Sequence, residues 1–250
     1  MSKVFYDKKI INQIFKEFDK KINNQDREKL LNLVKRLPPE DANNKNPKGQ
    51  TVLMLACYYG YTDVGTVNLL TDAEADIYIQ NNWTTLMLVP EHSNTDSNAE
   101  TVKLLDAKAD NNIKNNSDWT ALMSASKYSN AESNTETVKL LIDADNNIQD
   151  NCGWTALMYA SENPNTESNI EIVKLLIGAQ ADINIQDSDG QTALMMVSKY
   201  SNKESNIETV KLLIDAQADI NIQDNYGWTA LKYASRYPNT ETVKLLESCN

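Results

Sequence analysis

The chain has 250 residues, with 35 Asp and Glu against 24 Lys and Arg for a formal net charge of −11, and it holds one His, three Cys and seven Gly. This inventory leaves no histidine-based metal cluster, no Ser-His-Asp arrangement drawing on a second imidazole, no cysteine pair at zinc-ligand spacing and no glycine-rich phosphate loop, so the reading is a non-enzyme with no cofactor. Acidity argues against nucleic acid as a partner, and no run of about 18 apolar residues or signal-peptide core argues for a membrane or export; the expectation is a soluble, cytoplasmic protein.

The first segment differs from the rest. Residues 1–48 hold 12 Lys and Arg against 7 Asp and Glu, leaving −16 on the remainder. Ile10, Ile14, Phe15 and Phe18 fall on one helical face and Leu30, Leu33, Val34 and Leu37 on another, which predicts two helices forming a helical cap over residues 1–45. Pro38 and Pro39 end the second of them. Asn46-Pro47-Lys48-Gly49-Gln50 is then a turn.

From residue 46 to 250 the chain repeats itself. A Thr recurs at Thr51, Thr84, Thr120, Thr155, Thr192 and Thr229, and V-x-L-L recurs from Val67, Val102, Val138, Val173, Val210 and Val243, giving six copies. Each Thr opens a first helix. Ala193, Met196, Val197 and Tyr200 show helical spacing, as do Ile207, Val210, Leu213 and Ile214, so one copy is a pair of short amphipathic helices. Ile220 and Ile222 then alternate with polar residues before Asp224-Asn225-Tyr226-Gly227, a β-turn or short hairpin leading into the next copy. Ser97, Ser133, Ser168 and Ser205 each precede a Glu by three, predicting capping boxes ahead of the second helices. Such a pair has no interior of its own and is buried by stacking, which gives an all-α solenoid.

GWTALMYAS from Gly153 and ETVKLLIDAQADINIQD from Glu208 are similar to the ankyrin repeat, and the resemblance runs from about Asn46 to Cys249. It implies stacked helix pairs with β-turn or hairpin connections and recognition of protein partners in a concave groove. The Asn-rich style further resembles ankyrin proteins of large DNA viruses of amoebae and of AT-rich protists, which implies a host-cytoplasm setting. Three departures carry expectations. Copies two to five place four extra polar residues between their helices. Met54, Met87, Met123, Met158, Met195 and Lys232 replace the family's His, removing its bond to Thr. Glu74, Lys108, Gln180 and Gln217 stand at the family's left-handed Gly, costing on the order of 1 kcal/mol each. Pro90 is expected to end the first helix of copy two early, and the two residues missing near Ala144 to tighten the hairpin of copy three.

Two columns stand out as candidate partner-binding residues. Trp83, Trp119, Trp154 and Trp228 each precede the opening Thr; at the ends of first helices lie Lys127 and Tyr128, Lys199 and Tyr200, Arg236 and Tyr237, with His92 and Asn163 in the other copies. The resemblance places both columns on the groove. Aromatics and Arg dominate interface hot spots, and the surrounding acidity favours a protein with basic patches. The alternative is that the aromatics only stack copy on copy, in an array that is structural or self-associates through the last repeat. A further resemblance is to hairpins hydroxylated by asparaginyl hydroxylases, with Asn184 and Asn221 as the matching positions. Asp187-Ser188-Asp189-Gly190 lacks the Glu that would complete a calcium loop, so no metal is expected.

Overall fold

The computed structural model describes residues 9–18, 24–59, 64–72, 75, 85–91, 102–103, 105, 110–128, 132–162, 167–199, 204–236 and 240–249. Trp83, Thr84, His92, Ser97, Asn163, Tyr200 and Tyr237, together with Glu74 and Lys108, lie outside them. The described elements are helical, with no strand among the described residues. They group into two compact units, residues 1–109 and 110–250.

In the first unit α1 (Lys9–Phe18) and α2 (Asn24–Val34) precede α3 (Val52–Tyr58), α4 (Val64–Asp72) and α5 (Thr85–Glu91). Helix α1 packs on α2 and α3, while α2 packs on α4 and α3 on α5. First helices thus stack on first helices and second on second, and the cap follows the same rule. Ile11, Ile14, Phe18, Leu30 and Val34 fill its interior, each such side chain contributing about 1.5–3 kcal/mol on burial. Lys29 Nζ reaches the buried Glu17 at 2.8 Å, and Phe18 stacks on Tyr59 with ring centroids 5.7 Å apart. Cys57 is fully buried, which pushes its thiol up to about 12. Pro90 does not shorten its helix: α5 reaches Glu91 and has the same 7 residues as α3. A proline's fixed φ is helical, and this close to the helix end it removes little beyond its own N–H bond.

The second unit has four helix pairs: α6 (Ala121–Lys127) with α7 (Glu132–Leu141), α8 (Ala156–Glu162) with α9 (Glu167–Gly178), α10 (Ala193–Lys199) with α11 (Glu204–Asp215), and α12 (Ala230–Arg236) with α13 (Thr240–Glu247). Within each row every helix packs on its successor. Buried Leu122, Leu157, Leu194 and Ala230 line the first row, and Val138, Val173 and Val210 the second.

The repeated Thr caps the first helix. Its hydroxyl accepts the N–H of Met54, Met123, Met158 and Lys232 at 3.3 Å and of Met195 at 3.4 Å, worth about 1 kcal/mol per helix. In copy three Met123 Sδ accepts the Thr120 N–H at 3.4 Å, so a methionine closes a reciprocal cap at the family's His position. The capping boxes expected at the second helices are not where the sequence suggested. These helices begin at Glu132, Glu167 and Glu204, one residue earlier, which puts Ser133, Ser168 and Ser205 inside the first turn.

Gln180 and Gln217 are left-handed, at φ 61° and 67°, as is Asp118 at 58°. In copy three the missing residues come out of the helix rather than the finger: α7 has 10 residues where α9 has 12, and Asp145 still donates its N–H to Asn112 Oδ1 at 2.8 Å. The finger keeps its shape because it is bonded to its neighbour.

Candidate functional site

The fingers between copies form a hydrogen-bonded ladder, and it is this ladder that positions the candidate residues. Asn112, Asn147 and Asn184 each accept, through Oδ1, the N–H of the following copy's Asp145, Asp182 and Asp219 at 2.7–2.8 Å. Gln149 and Gln186 donate to the carbonyls of Gln186 and Gln223 at 3.0 Å. Backbone bonds from Asn151, Ser188 and Asn225 to Ser117, Cys152 and Asp189 complete it. The fingers come so close that a Cβ on Gly153 would lie 2.8 Å from Ser188 N, and one on Gly190 2.8 Å from Asn225 N. A side chain at either position would meet that backbone and a φ of 81°, which favours glycine; at the equivalent position in copy three Asp118 takes φ 58°.

Within each finger one carboxylate or amide folds the turn. Asp150 Oδ1 accepts the N–H groups of Cys152 and Trp154 at 2.8 and 2.9 Å, and Asp224 Oδ1 those of Tyr226 and Trp228 at 2.9 and 2.8 Å. Asn46, Asn115 and Asp187 do the same in their copies. The second oxygen looks outward to aromatics. Asp150 Oδ2 accepts the Trp119 indole N–H at 2.9 Å and the Tyr159 hydroxyl at 2.6 Å; Asp224 Oδ2 accepts Tyr233 at 2.6 Å.

Trp119 is therefore tied to the following copy. Trp119 and Trp154 are half-buried and flank Tyr159, with centroids 4.7 and 4.9 Å from it. Trp119 bonds Asp150 of the next copy through its indole N–H, and Trp154 contacts Tyr159 within its own copy. Where copy five has Gln191, its amide reaches the Tyr233 hydroxyl at 3.2 Å, so a different side chain bridges the same two copies. Trp228 is half-buried against Tyr233 at 5.2 Å.

Electrostatics follow from this bonding. Burial, then the bond to Asp150, pushes the Tyr159 hydroxyl well above its ordinary range, and burial with Asp224 does the same to Tyr233. Burial alone would raise Asp224, yet the donors Tyr233, Trp228 and Tyr226 hold it below the usual carboxylate value. Asp187 is raised, because burial outweighs its donors.

Above the rings lie cations. Lys127 Nζ stands 4.8 Å from the Trp119 centroid, 5.2 Å from Tyr159 and 5.9 Å from Tyr128. Lys232 and Arg236 stand 5.9 and 6.0 Å from Trp228. The structure thus brings together Trp119, Lys127 and Tyr128 in copy three, and Trp228 and Arg236 in copy six. Lys199 is half-buried at the end of α10. Trp83, Tyr200 and Tyr237 lie outside the described residues. Asp150, Tyr159, Asp224, Tyr233 and Lys232 are not among the candidate site residues of the sequence. Their signal was the spacing of nine between Asp and Tyr in copies four and six, and the one Lys in a Met column. Asn184 is half-buried and committed to the ladder through Asp219; Asn221 is exposed.

A family model described as ankyrin repeats in three copies matches residues 23–97, 92–187 and 165–250. The chain belongs to the ankyrin-repeat family. The match begins at residue 23, so it takes in α2 as well as the six copies. A search of the curated proteins finds no match. Ankyrin repeats are generally protein-protein interaction modules, and the family is typically non-enzymatic. Among the described residues no group of His, Cys, Asp and Glu is arranged to hold a metal ion, and no helix is long and apolar enough to cross a membrane.

Proposed function

We propose that this ankyrin-repeat protein is a non-enzymatic recognition scaffold whose partner protein docks where first-helix ends meet fingers in residues 110–250. The observation that carries the reading is Lys127, an exposed cation held over three rings of two successive copies. Rigid aromatics beside a held cation cost little side-chain entropy on binding, which is what a hot spot needs. The Trp residues are poor probes of this idea, since Trp119→Ala removes a ladder bond and reports folding. The test is capture from the native lysate by wild type and by a Lys127→Ala, Tyr128→Ala, Arg236→Ala variant of matched circular dichroism. A protein held only by wild type supports the reading; identical eluates would sink it.

A second reading, self-association through copy six, has its own observation. Asn221 and Gln223 occupy the positions from which Asn184 and Gln186 reach the following finger, and they reach none among the described residues. A Cβ on Gly227 meets nothing closer than Gln223 Oε1 at 3.9 Å, and Tyr226 is 77% exposed. Light scattering showing a monomer at all concentrations would remove it. The same exposure makes Asn221, rather than Asn184, the accessible position for an asparaginyl hydroxylase.

A further inference from the structure

The chain's net charge of −11 points towards basic partners at long range. The ends of the first helices in residues 110–250 carry the opposite balance. Lys127, Lys232 and Arg236 sit over the rings, Lys199 ends α10, and Glu162 is the acidic residue that ends a first helix of this unit.

We infer that this face takes an extended acidic peptide segment of the partner, its Asp and Glu carboxylates on Lys127, Lys232 and Arg236 and its apolar side chains on the neighbouring rings. The inference rests on the recognition role proposed above and gives the partner its chemistry.

Three observations carry it. First, the cations are not consumed internally. The ion pairs among the described residues are Lys29 with Glu17 and Lys139 with Glu136, and none involves Lys127, Lys232 or Arg236. Second, the carboxylates that bond these rings are buried. Each takes two backbone N–H groups on one oxygen; on the other, Asp150 takes Trp119 and Tyr159 and Asp224 takes Tyr233. Their charge holds the fingers together rather than repelling an incoming carboxylate. Third, the arrangement occurs twice: a cation over a finger Trp, beside a Tyr that bonds an Asp, is found at Trp119 and again at Trp228. Two such points, in copies three and six, suit a segment laid along the row.

Range decides which charge the partner meets. Exposed charges more than about 8 Å away are largely screened at physiological ionic strength, so the bulk −11 weakens with distance while contact with the three cations does not. Cation–π contact also fixes where each cation lies before binding, which lowers the ordering cost of a charge-assisted hydrogen bond.

The test uses the full chain and two labelled synthetic peptides, one alternating Glu with Leu and one alternating Lys with Leu, read by fluorescence anisotropy at physiological salt. The expected result is binding of the Glu peptide about tenfold or more tighter than the Lys peptide. The double variant Lys127→Gln, Arg236→Gln should lose about tenfold while Lys139→Gln, a change of one charge on a second helix, loses little. Equal loss from Lys139→Gln would show a diffuse charge effect and overturn the site. Tighter binding of the Lys peptide, abolished by Lys127→Ala with Tyr128→Ala, would overturn the acidic partner and leave the recognition face standing. Failure of the Glu peptide to bind at millimolar concentration also overturns it, with the lysate capture still deciding the broader reading.

Discussion

Tyr159 donates its hydroxyl proton to Asp150 Oδ2 at 2.6 Å, and Tyr233 makes the same bond to Asp224 at the same distance. The two pairs differ in what remains when the hydroxyl is removed. Asp150 Oδ2 keeps the Trp119 indole, whereas Asp224 Oδ2 has no second side-chain donor among the described residues. Tyr233→Phe is therefore expected to cost about 2 kcal/mol and Tyr159→Phe about 1 kcal/mol. Urea unfolding of the two variants checks the order, and equal costs would show that the indole contributes nothing to Asp150.

Asp187 and Asp224 occupy the same repeat position with opposite shifts. Asp224 is depressed, so its contribution is present above the unfolded value near 3.8 and is lost as pH falls through the lower folded value. Asp187 is raised, so its contribution is present below the unfolded value and is lost as pH rises through the folded one. On acidification the stability deficit of Asp224→Asn should shrink, while wild type should gain on Asp187→Asn. Chemical denaturation across the acid range decides; parallel pH profiles for the two variants would contradict the assignment.

Gln180 and Gln217 hold left-handed backbone without glycine's freedom. Replacing both by Gly should stabilise the protein by on the order of 1 kcal/mol per site, because the strain relieved exceeds the added entropy of the unfolded chain. A rise in Tm of the double variant is the readout. An unchanged or lower Tm would mean that the glutamine side chains contribute more than the strain they impose.

Ser126, Ser161 and Ser198 lie at one position in three successive first helices, fully buried, with hydroxyls that have no hydrogen-bond partner among the described residues. Each is expected to become more stable as Ala, by about 1 kcal/mol, since an unsatisfied hydroxyl leaves a dry interior. Ser235, at the same position in copy six, is exposed and donates to the Leu231 carbonyl at 2.8 Å. Ser235→Ala should be close to neutral, and a loss at the three buried sites comparable to any other core change would refute the reading.

The repeated Thr, the V-x-L-L run and the helical spacing of apolar residues determined by themselves the helix pairs described in copy one and in copies three to six and the stacking within each unit, because short amphipathic helices are encoded by local period and have nowhere else to bury their faces. Left-handed backbone at Gln180 and Gln217 was likewise readable, from position in the copy. Local spacing misled where a helix boundary was at stake: Ser133, Ser168 and Ser205 looked like caps, yet the helices start one residue before them. Which residues of other copies Trp119 and Gln191 bond was decided only by the tertiary structure. Trp119 meets Asp150 at a separation of 31 residues, and Gln191 meets Tyr233 at 42. Such bonds form between copies, so the residue that completes each one stands in a different repeat from the residue it completes. The same physics sets the charge of the candidate face: composition counts every carboxylate alike, whereas the fold buries Asp150 and Asp224 under donors and leaves Lys127 and Arg236 on the rings above them.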